Sequence, residues 1–306
     1  MSAKAAPIDA ARVKLLLGQL RLPAIALAWP DLAATADREG WPAARFLAAL
    51  AEVEVAERDR RRFERHLAEA RLPSGKTLDN FDFAAVPMIS KARVMALAEG
   101  DSWLATATNL LYFGPPGSGK SHSAAALGRA LVEKGWRALY ARTTDLVQKL
   151  QAARQNLALE AAIAKLDKFH LLILDDITYV TKDQAESSVL FELISARYER
   201  RSLLITANQP FSEWGKIFPG EAMTLAAVDR LVHHSIIFEL NVESYRRKTA
   251  LRRKTNDANP IQPATSDARI ASPEMLPNIS LLPHLICSFW ASGGKGGYEA
   301  GEHDDT

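Results

Sequence analysis

The chain has 306 residues, of which 48% are hydrophobic and 24% are charged, a composition that excludes a disordered or fibrous protein and suffices for two domains. Its formal net charge is +2, but residues 255 to 306 hold two basic and seven acidic side chains, which leaves about +7 on the preceding part. The single cysteine, Cys287, excludes an internal disulfide, and no apolar run of about 18 residues or signal peptide is found. A cytoplasmic protein with no membrane partner is therefore expected.

The first 72 residues are predicted to be helical. Apolar side chains recur near helical spacing between residues 8 and 72, with turn signals at Trp29-Pro30 and at Gly40-Trp41-Pro42. Residues 73 to 87 contain two prolines, one glycine and clustered polar side chains, a composition typical of a linker. We therefore expect a small helical domain over residues 1 to 72 that contacts a partner or DNA, and then a linker.

Residues 88 to 254 alternate short apolar runs with longer helical stretches. Strands are predicted at five places, which are Asn109 to Phe113, Arg137 to Ala141, Phe169 to Asp175, Ser202 to Ala207, and Ser235 to Leu240. The helical stretches between them cover residues 119 to 134, 143 to 166, 183 to 200 and 211 to 233. This alternation predicts an α/β fold with a parallel sheet flanked by crossover helices. From residue 255 onward prolines and glycines accumulate, which predicts a disordered tail over residues 255 to 306.

A glycine-rich segment follows the first predicted strand directly. It satisfies the pattern G-x-x-x-x-G-K-[ST] with the residues Gly114, Pro115, Pro116, Gly117, Ser118, Gly119, Lys120 and Ser121. Glycines let backbone N–H groups approach phosphates, and the following helix adds its positive N-terminal end. Lys120 is expected between the β- and γ-phosphates of ATP, and the Ser121 hydroxyl is expected to bind Mg²⁺. The next residue, His122, is included among the expected nucleotide-binding residues.

Polar side chains end two further predicted strands. Asp175 and Asp176 end the apolar run that starts at Phe169, which is the pattern of a Walker B segment. Asp175 is expected to hold Mg²⁺ through water and Asp176 to orient or deprotonate the attacking water, although such a pair also suits the cap of a following helix. Asn208 follows the next strand and is placed to reach the γ-phosphate, but an Asn in this position is more often a turn residue.

Four segments together resemble a known family. They are Phe113 to His122, Leu174 to Ile177, Ile205 to Gln209 and Val228 to His234, and they resemble the IstB-like ATPases, which are helper proteins of transposition. The likeness extends over residues 10 to 250. It implies an AAA+ P-loop fold related to the DnaC helicase loaders, in which ATP binding assembles subunits on double-stranded DNA and hydrolysis follows contact with a transposase.

The resemblance also implies roles for single residues. Asn208 becomes the polar sensor, and Arg230 becomes the finger that reaches the ATP of a neighbouring subunit, whereas without the resemblance Arg230 is equally well a surface residue. Phe81 and Phe83 match aromatic positions near the adenine, but ordinary hydrophobic anchoring is the commoner role of such a pair. Many AAA+ proteins have Glu where this chain has Asp176, and the shorter side chain predicts slow or partner-dependent hydrolysis.

Two arginine-rich stretches are candidate contacts for DNA. Residues 245 to 254 contain six basic side chains and no acidic one, so DNA binding is assigned to Arg246, Arg247, Arg252 and Arg253. Residues 58 to 66 include intervening acids and favour a solvated, self-paired helix face, with transposase or DNA binding as the alternative. Trp103, His122, His233 and His234 lack further ligands at metal-binding spacing, so no metal ion besides Mg²⁺ is expected.

The sequence therefore predicts an ATP-dependent DNA-binding helper of transposition that forms oligomers. A DnaC-like helicase loader is the alternative, because it shares the ATPase core and differs in its N-terminal partner region, residues 10 to 72. A small-molecule P-loop kinase is disfavoured, since no arginine-rich lid or acceptor pocket is indicated. A scaffold without nucleotide is disfavoured as well, because both charged halves of a magnesium site are present.

Overall fold

The computed structural model describes residues 7–177, 184–218, 220–242, 244 and 245. It begins with three helices, α1 Pro7–Gln19, α2 Pro23–Glu39 and α3 Ala43–Ala70. The predicted turn at Gly40 is confirmed, because Gly40 is left-handed with φ 65° and its N–H donates to the carbonyl of Ala36 at the end of α2.

The turn predicted at Trp29-Pro30 is wrong. Helix α2 continues through Pro30, although a proline inside a helix removes one backbone hydrogen bond and crowds the preceding turn. The helix packs along α3 over much of its length, and tertiary packing of this kind outweighs local propensity.

Five parallel strands form one sheet, as predicted. They are β1 Asn109–Phe113, β2 Ala138–Arg142, β3 Leu171–Asp175, β4 Ser202–Ala207 and β5 Ser235–Glu239. Their order is β2-β3-β4-β1-β5, and every neighbouring pair runs parallel. The predicted bounds differ from the observed ones by no more than two residues, because continuous burial of these apolar runs defines the strands.

Seven further α-helices follow α3 in the described part of the chain. They are α4 Lys91–Glu99, α5 Asp101–Leu104, α6 Lys120–Glu133, α7 Thr143–Gln155, α8 Leu159–Leu166, α9 Gln184–Arg197 and α10 Glu221–Val232, with short 3-10 helices at Phe83–Ala85 and Phe211–Lys216. The helix predicted over residues 143 to 166 is split at Leu157, whose left-handed φ of 53° cannot continue a right-handed helix. The helix predicted over residues 211 to 233 is likewise interrupted, at Gly220 with φ 94°.

Apolar cores cover both faces of the sheet. Successive residues of a strand point to opposite faces, so Leu110 and Tyr112 belong to one core while Leu111 and Phe113 belong to the other. Helix α6 and the C-terminal end of α3 pack on the first face, where Ala70 is fully buried. Separate domains for residues 1 to 72 and 88 to 254 stay a prediction.

None of the helices within the described residues is both long and apolar enough to cross a membrane. The tail predicted over residues 255 to 306 lies outside the described residues.

Candidate functional site

The glycine-rich loop connects β1 to α6 and packs closely against the segment that follows β5. Gly114, Gly117 and Gly119 have φ values of 148°, 85° and 98°, which side-chain-bearing residues rarely adopt. A Cβ atom on Gly114 would lie 2.4 Å from the carbonyl oxygen of Leu240, and one on Gly117 would lie 2.2 Å from Ser244 Oγ. The loop therefore requires glycine at these positions, as expected of a backbone that curves around phosphates.

Lys120 is the first residue of α6 and its side chain turns back into the loop. The side chain is buried, and its ammonium group donates hydrogen bonds to the carbonyl oxygens of Gly114 at 2.6 Å and Pro115 at 2.9 Å. Helix α6 has no side-chain N-cap and no acidic residue in its first turn. The positive end of the helix dipole and the lysine charge thus coincide, which favours an anion at this point.

Asp175 ends β3, and both of its carboxylate oxygens accept hydrogen bonds from neighbouring strands. Tyr140 of β2 donates to Oδ2 at 2.5 Å, and Thr206 of β4 donates to Oδ1 at 2.7 Å. Burial and the hydrogen bond to Asp175 raise the pKa of Tyr140 well above its ordinary value, so the phenol stays a proton donor at neutral pH. The carboxylate is therefore held in one orientation.

Asp176 has a left-handed backbone with φ 59°, a conformation that Asp tolerates better than most residues. Its N–H donates to Thr206 Oγ1 at 2.8 Å, and its Oδ1 accepts a hydrogen bond from Asn208 Nδ2 at 2.9 Å. The structure thus brings together Asp175, Asp176 and Asn208, which the sequence placed at the ends of two strands.

These groups line one cavity of about 570 Å³, which is within the usual size of a small-ligand site. The predicted residues in its wall are Pro116, Gly117, Ser118, Gly119, Lys120, Ser121, His122, Asp175, Asp176 and Asn208. The linker also lines the cavity, with Lys76, Asn80 and Phe81 among its residues.

His122 joins the loop to the linker. Its Nε2 lies 2.8 Å from Asn80 Oδ1 and 3.3 Å from the carbonyl oxygen of Thr77, and Phe81 packs edge-on against its ring. Burial, with the charge of Lys76 as a second cause, lowers its pKa, so the imidazole is neutral at pH 7 and its Nε2–H donates to these oxygens.

Other predicted residues do not meet at the cavity. Arg230, in the last turn of α10, donates to the carbonyl of Ala226 at 3.0 Å and lies over the Phe191 ring, and it is absent from the cavity wall in the described part of the chain. The predicted DNA contacts Arg246, Arg247, Arg252 and Arg253 lie outside the described residues.

The self-paired face predicted for residues 58 to 66 is confirmed. Arg60 and Arg61 both pair with Glu57, and Arg62 pairs with Asp59. The guanidinium charges of this part of α3 are thus largely matched by carboxylates of the same helix.

Sequence reasoning did not identify Tyr140 and Thr206. Thr206 is the penultimate residue of a fully buried strand, and Tyr140 stands near the end of β2. Both residues are polar side chains near the carboxyl end of a parallel strand. This position could have indicated that they lie at the site, because those strand ends meet at one edge of the sheet. The pairing of strands β2, β3 and β4 was needed to show which partner each hydroxyl has.

Three features meet at one cavity: the glycine-rich loop, the buried lysine and the two aspartates at the end of β3. Together they define a P-loop nucleotide-binding protein. Comparison with known proteins gives the family. Residues 15–253 match the family described as IstB-like ATP binding protein. The chain belongs to this family, and its fold is an α/β P-loop fold with a helical N-terminal region.

Two curated proteins and one solved structure illustrate what this chain is similar to. An insertion-sequence ATP-binding protein of Sinorhizobium fredii is 69% identical over 85% of this chain and 87% of its own length. An insertion-sequence ATP-binding protein of Geobacillus stearothermophilus is 36% identical over 74% of this chain and 90% of its own length. The crystal structure of the DnaC helicase loader aligns with a TM-score of 0.44 at 19% identity, covering 54% of this chain and 97% of that chain.

Thr206→Val tests the arrangement of the acidic pair. The substitution keeps the side-chain shape but leaves the Asp176 N–H and one Asp175 oxygen without their shared partner, at a cost of about 1–3 kcal/mol in the free energy of unfolding. Urea unfolding measures the loss. Thr206→Ser is the matched control, because it keeps the hydroxyl and should lose much less; equal stability of the Val variant and the wild type would contradict the hydrogen-bond assignment.

Proposed function

We propose that this protein binds ATP with Mg²⁺, hydrolyses it, and acts as a DNA-binding helper of transposition. One observation carries the proposal: the phosphate loop, Ser121, the two aspartates and Asn208 converge on a single cavity. Each group has the chemistry that the γ-phosphate of a bound nucleotide and its ion require.

The loop residues suit the phosphates and the ion. Lys120 would exchange its carbonyl partners for phosphate oxygens when a nucleotide binds, and the amides at the start of α6 supply further donors. Ser121 and Asp175 both line the cavity and offer hard oxygen ligands of the type that Mg²⁺ prefers. A bound Mg²⁺ would neutralise charge on the β- and γ-phosphates while the γ-phosphoryl group is transferred to water.

Asp176 is assigned to the attacking water, with Asn208 beside it. The amide of Asn208 donates to one carboxylate oxygen of Asp176 and so orients the group without removing its ability to accept a proton. The left-handed backbone of Asp176 explains a short side chain here, because Asp is enriched in this conformation. Its shorter reach compared with Glu supports slow or partner-stimulated hydrolysis.

Lys120→Ala should reduce ATP affinity by about 10–100-fold, because it removes a charged donor worth about 1.5–3 kcal/mol to a phosphate. Equilibrium binding of a fluorescent ATP analogue with Mg²⁺ measures the effect. Arg129→Ala is the control, since it removes a surface cation of the same helix that pairs with Glu133. Unchanged affinity in the lysine variant would show that the loop is not the phosphate site.

Arg230 is proposed to act on the ATP of a neighbouring subunit. Within one subunit its side chain lies over Phe191, and the described cavity wall does not include it, which suits a charge delivered to another subunit better than a local role. The protein would then hydrolyse ATP only when assembled, because an isolated subunit lacks the guanidinium charge at its own cavity.

Mixing two inactive variants tests delivery between subunits. Arg230→Ala should lower turnover of the assembled protein by about 10³-fold with little change in ATP binding, as for arginine fingers supplied in trans. Asp176→Asn should block turnover at the cavity of the subunit that carries it. Mixed assemblies should recover activity where an intact Arg230 faces an intact Asp176. Each variant alone is the control, and no recovery in confirmed mixed assemblies would place Arg230 outside the reaction.

The role in transposition rests on the relatives. Those at 69% and 36% identity are both insertion-sequence proteins, which favours a transposition helper over a helicase loader. Assembly on double-stranded DNA and cooperation with a transposase are the corresponding proposals. The basic segment of residues 245 to 254 is assigned to the phosphate backbone, since arginines there have no acidic neighbour in sequence.

DNA binding should be stimulated by ATP, largely independent of sequence and weakened by salt. Replacing Arg246, Arg247, Arg252 and Arg253 by Ala should weaken binding to all DNA duplexes by a similar factor. It should also reduce the slope of log affinity against log salt concentration by about one unit for each phosphate that is no longer neutralised. Fluorescence anisotropy at several salt concentrations measures both. Arg60→Ala with Arg61→Ala is the control, because these side chains are already paired with Glu57. If only the control variant loses affinity, α3 is the DNA contact instead.

A further inference from the structure

Three side chains with metal-binding atoms meet at the end of the sheet opposite to the phosphate loop. His233 caps α10, His234 precedes β5, and Glu199 follows α9. Glu199 Oε1 lies 3.5 Å from His233 Nδ1 and 3.7 Å from His234 Nε2. One ligand atom from each residue lies within 4.8 Å of the others.

Two of these separations, 3.5 and 3.7 Å, are close to the edge length of a coordination polyhedron, and the two histidine nitrogens lie within 4.8 Å of each other. Ligand atoms bound to one tetrahedral Zn²⁺ at about 2.0–2.2 Å lie roughly 3.3–3.6 Å from each other. Two imidazole nitrogens and one carboxylate oxygen are the donors that Zn²⁺, Ni²⁺ and Cu²⁺ accept, whereas Mg²⁺ prefers oxygen alone. We propose that Glu199, His233 and His234 form a binding site for a divalent transition metal ion, with Zn²⁺ as the reference ion.

Tyr198 supplies the outer support of this site. Its hydroxyl lies 2.8 Å from His233 Nδ1 and also interacts with the carboxylate of Glu199. An ion bound to His233 Nδ1 would displace the Tyr198 hydroxyl from this nitrogen, and the hydroxyl would then donate to the carboxylate of Glu199 alone, as an outer partner of a metal ligand does.

The site is open to solvent and separate from the nucleotide cavity. About half of each ligand side chain is exposed, with values of 52% for Glu199, 50% for His233 and 51% for His234. Three protein ligands leave at least one position for water, so the ion exchanges freely instead of being locked into the fold. The ion would join Glu199, two residues beyond α9, to the end of α10, the helix that carries Arg230, and should stabilise that junction.

Zinc titration of the full-length, tag-free chain tests the proposal. Isothermal titration calorimetry with ZnCl₂, in the presence of excess Mg²⁺ and ADP to fill the nucleotide cavity, should show one site per chain and a rise in Tm on zinc addition. His234→Gln and Glu199→Gln should each weaken binding by at least tenfold and abolish the rise in Tm. Both residues are exposed, so the variants should fold, and unchanged unfolding in urea without zinc verifies it.

Two variants serve as controls. One changes a residue on the same surface as the proposed site, and the other makes the same charge change as Glu199→Gln at a distant position. Tyr198→Phe keeps all three ligands and should retain zinc binding within a few-fold, and Glu133→Gln removes an exposed carboxylate elsewhere and should change nothing. Loss of binding in Tyr198→Phe equal to that in Glu199→Gln would overturn the ligand set. Equal zinc uptake by the wild type and both ligand variants would show an adventitious ion only and overturn the site.

Discussion

The hydroxyl of Thr206 lies between two consecutive aspartates, and the geometry of the candidate site depends on it. It donates to the carboxylate of Asp175 and accepts from the backbone N–H of Asp176. A single buried group therefore fixes the side chain of one acid and the backbone of the next. This gives the two carboxylates different directions, so that one can face an ion while the other meets Asn208.

This arrangement exists because the sheet is entirely parallel. Parallel strands place their carboxyl ends at one edge, and β1, β3 and β4 are adjacent in the order of the sheet. The phosphate loop thus emerges beside the acidic pair and Asn208 although they are far apart in sequence. The apolar cores on both faces keep the strands in register, which sets the distances between these polar groups.

Much of this could be predicted from the sequence, because buried strands and a phosphate loop have strong local patterns. Those patterns locate the strands within two residues, and type and spacing alone assign Gly114 to Ser121. The continuation of α2 through Pro30, and the partnership of Tyr140 and Thr206 with Asp175, could not be predicted, since both depend on contacts between distant segments. The same holds for Glu199, which lies more than thirty residues before His233 and approaches it only in the fold.

A crystal structure of the chain with Mg²⁺ and a non-hydrolysable ATP analogue would show whether the glycine-rich loop and the acidic pair bind one nucleotide together. We expect phosphates in contact with Lys120 and the loop amides, the ion beside Ser121 and Asp175, and Thr206 still bonded to both aspartates. A nucleotide bound elsewhere, or an Asp176 that has left its left-handed conformation and its contact with Thr206, would contradict it.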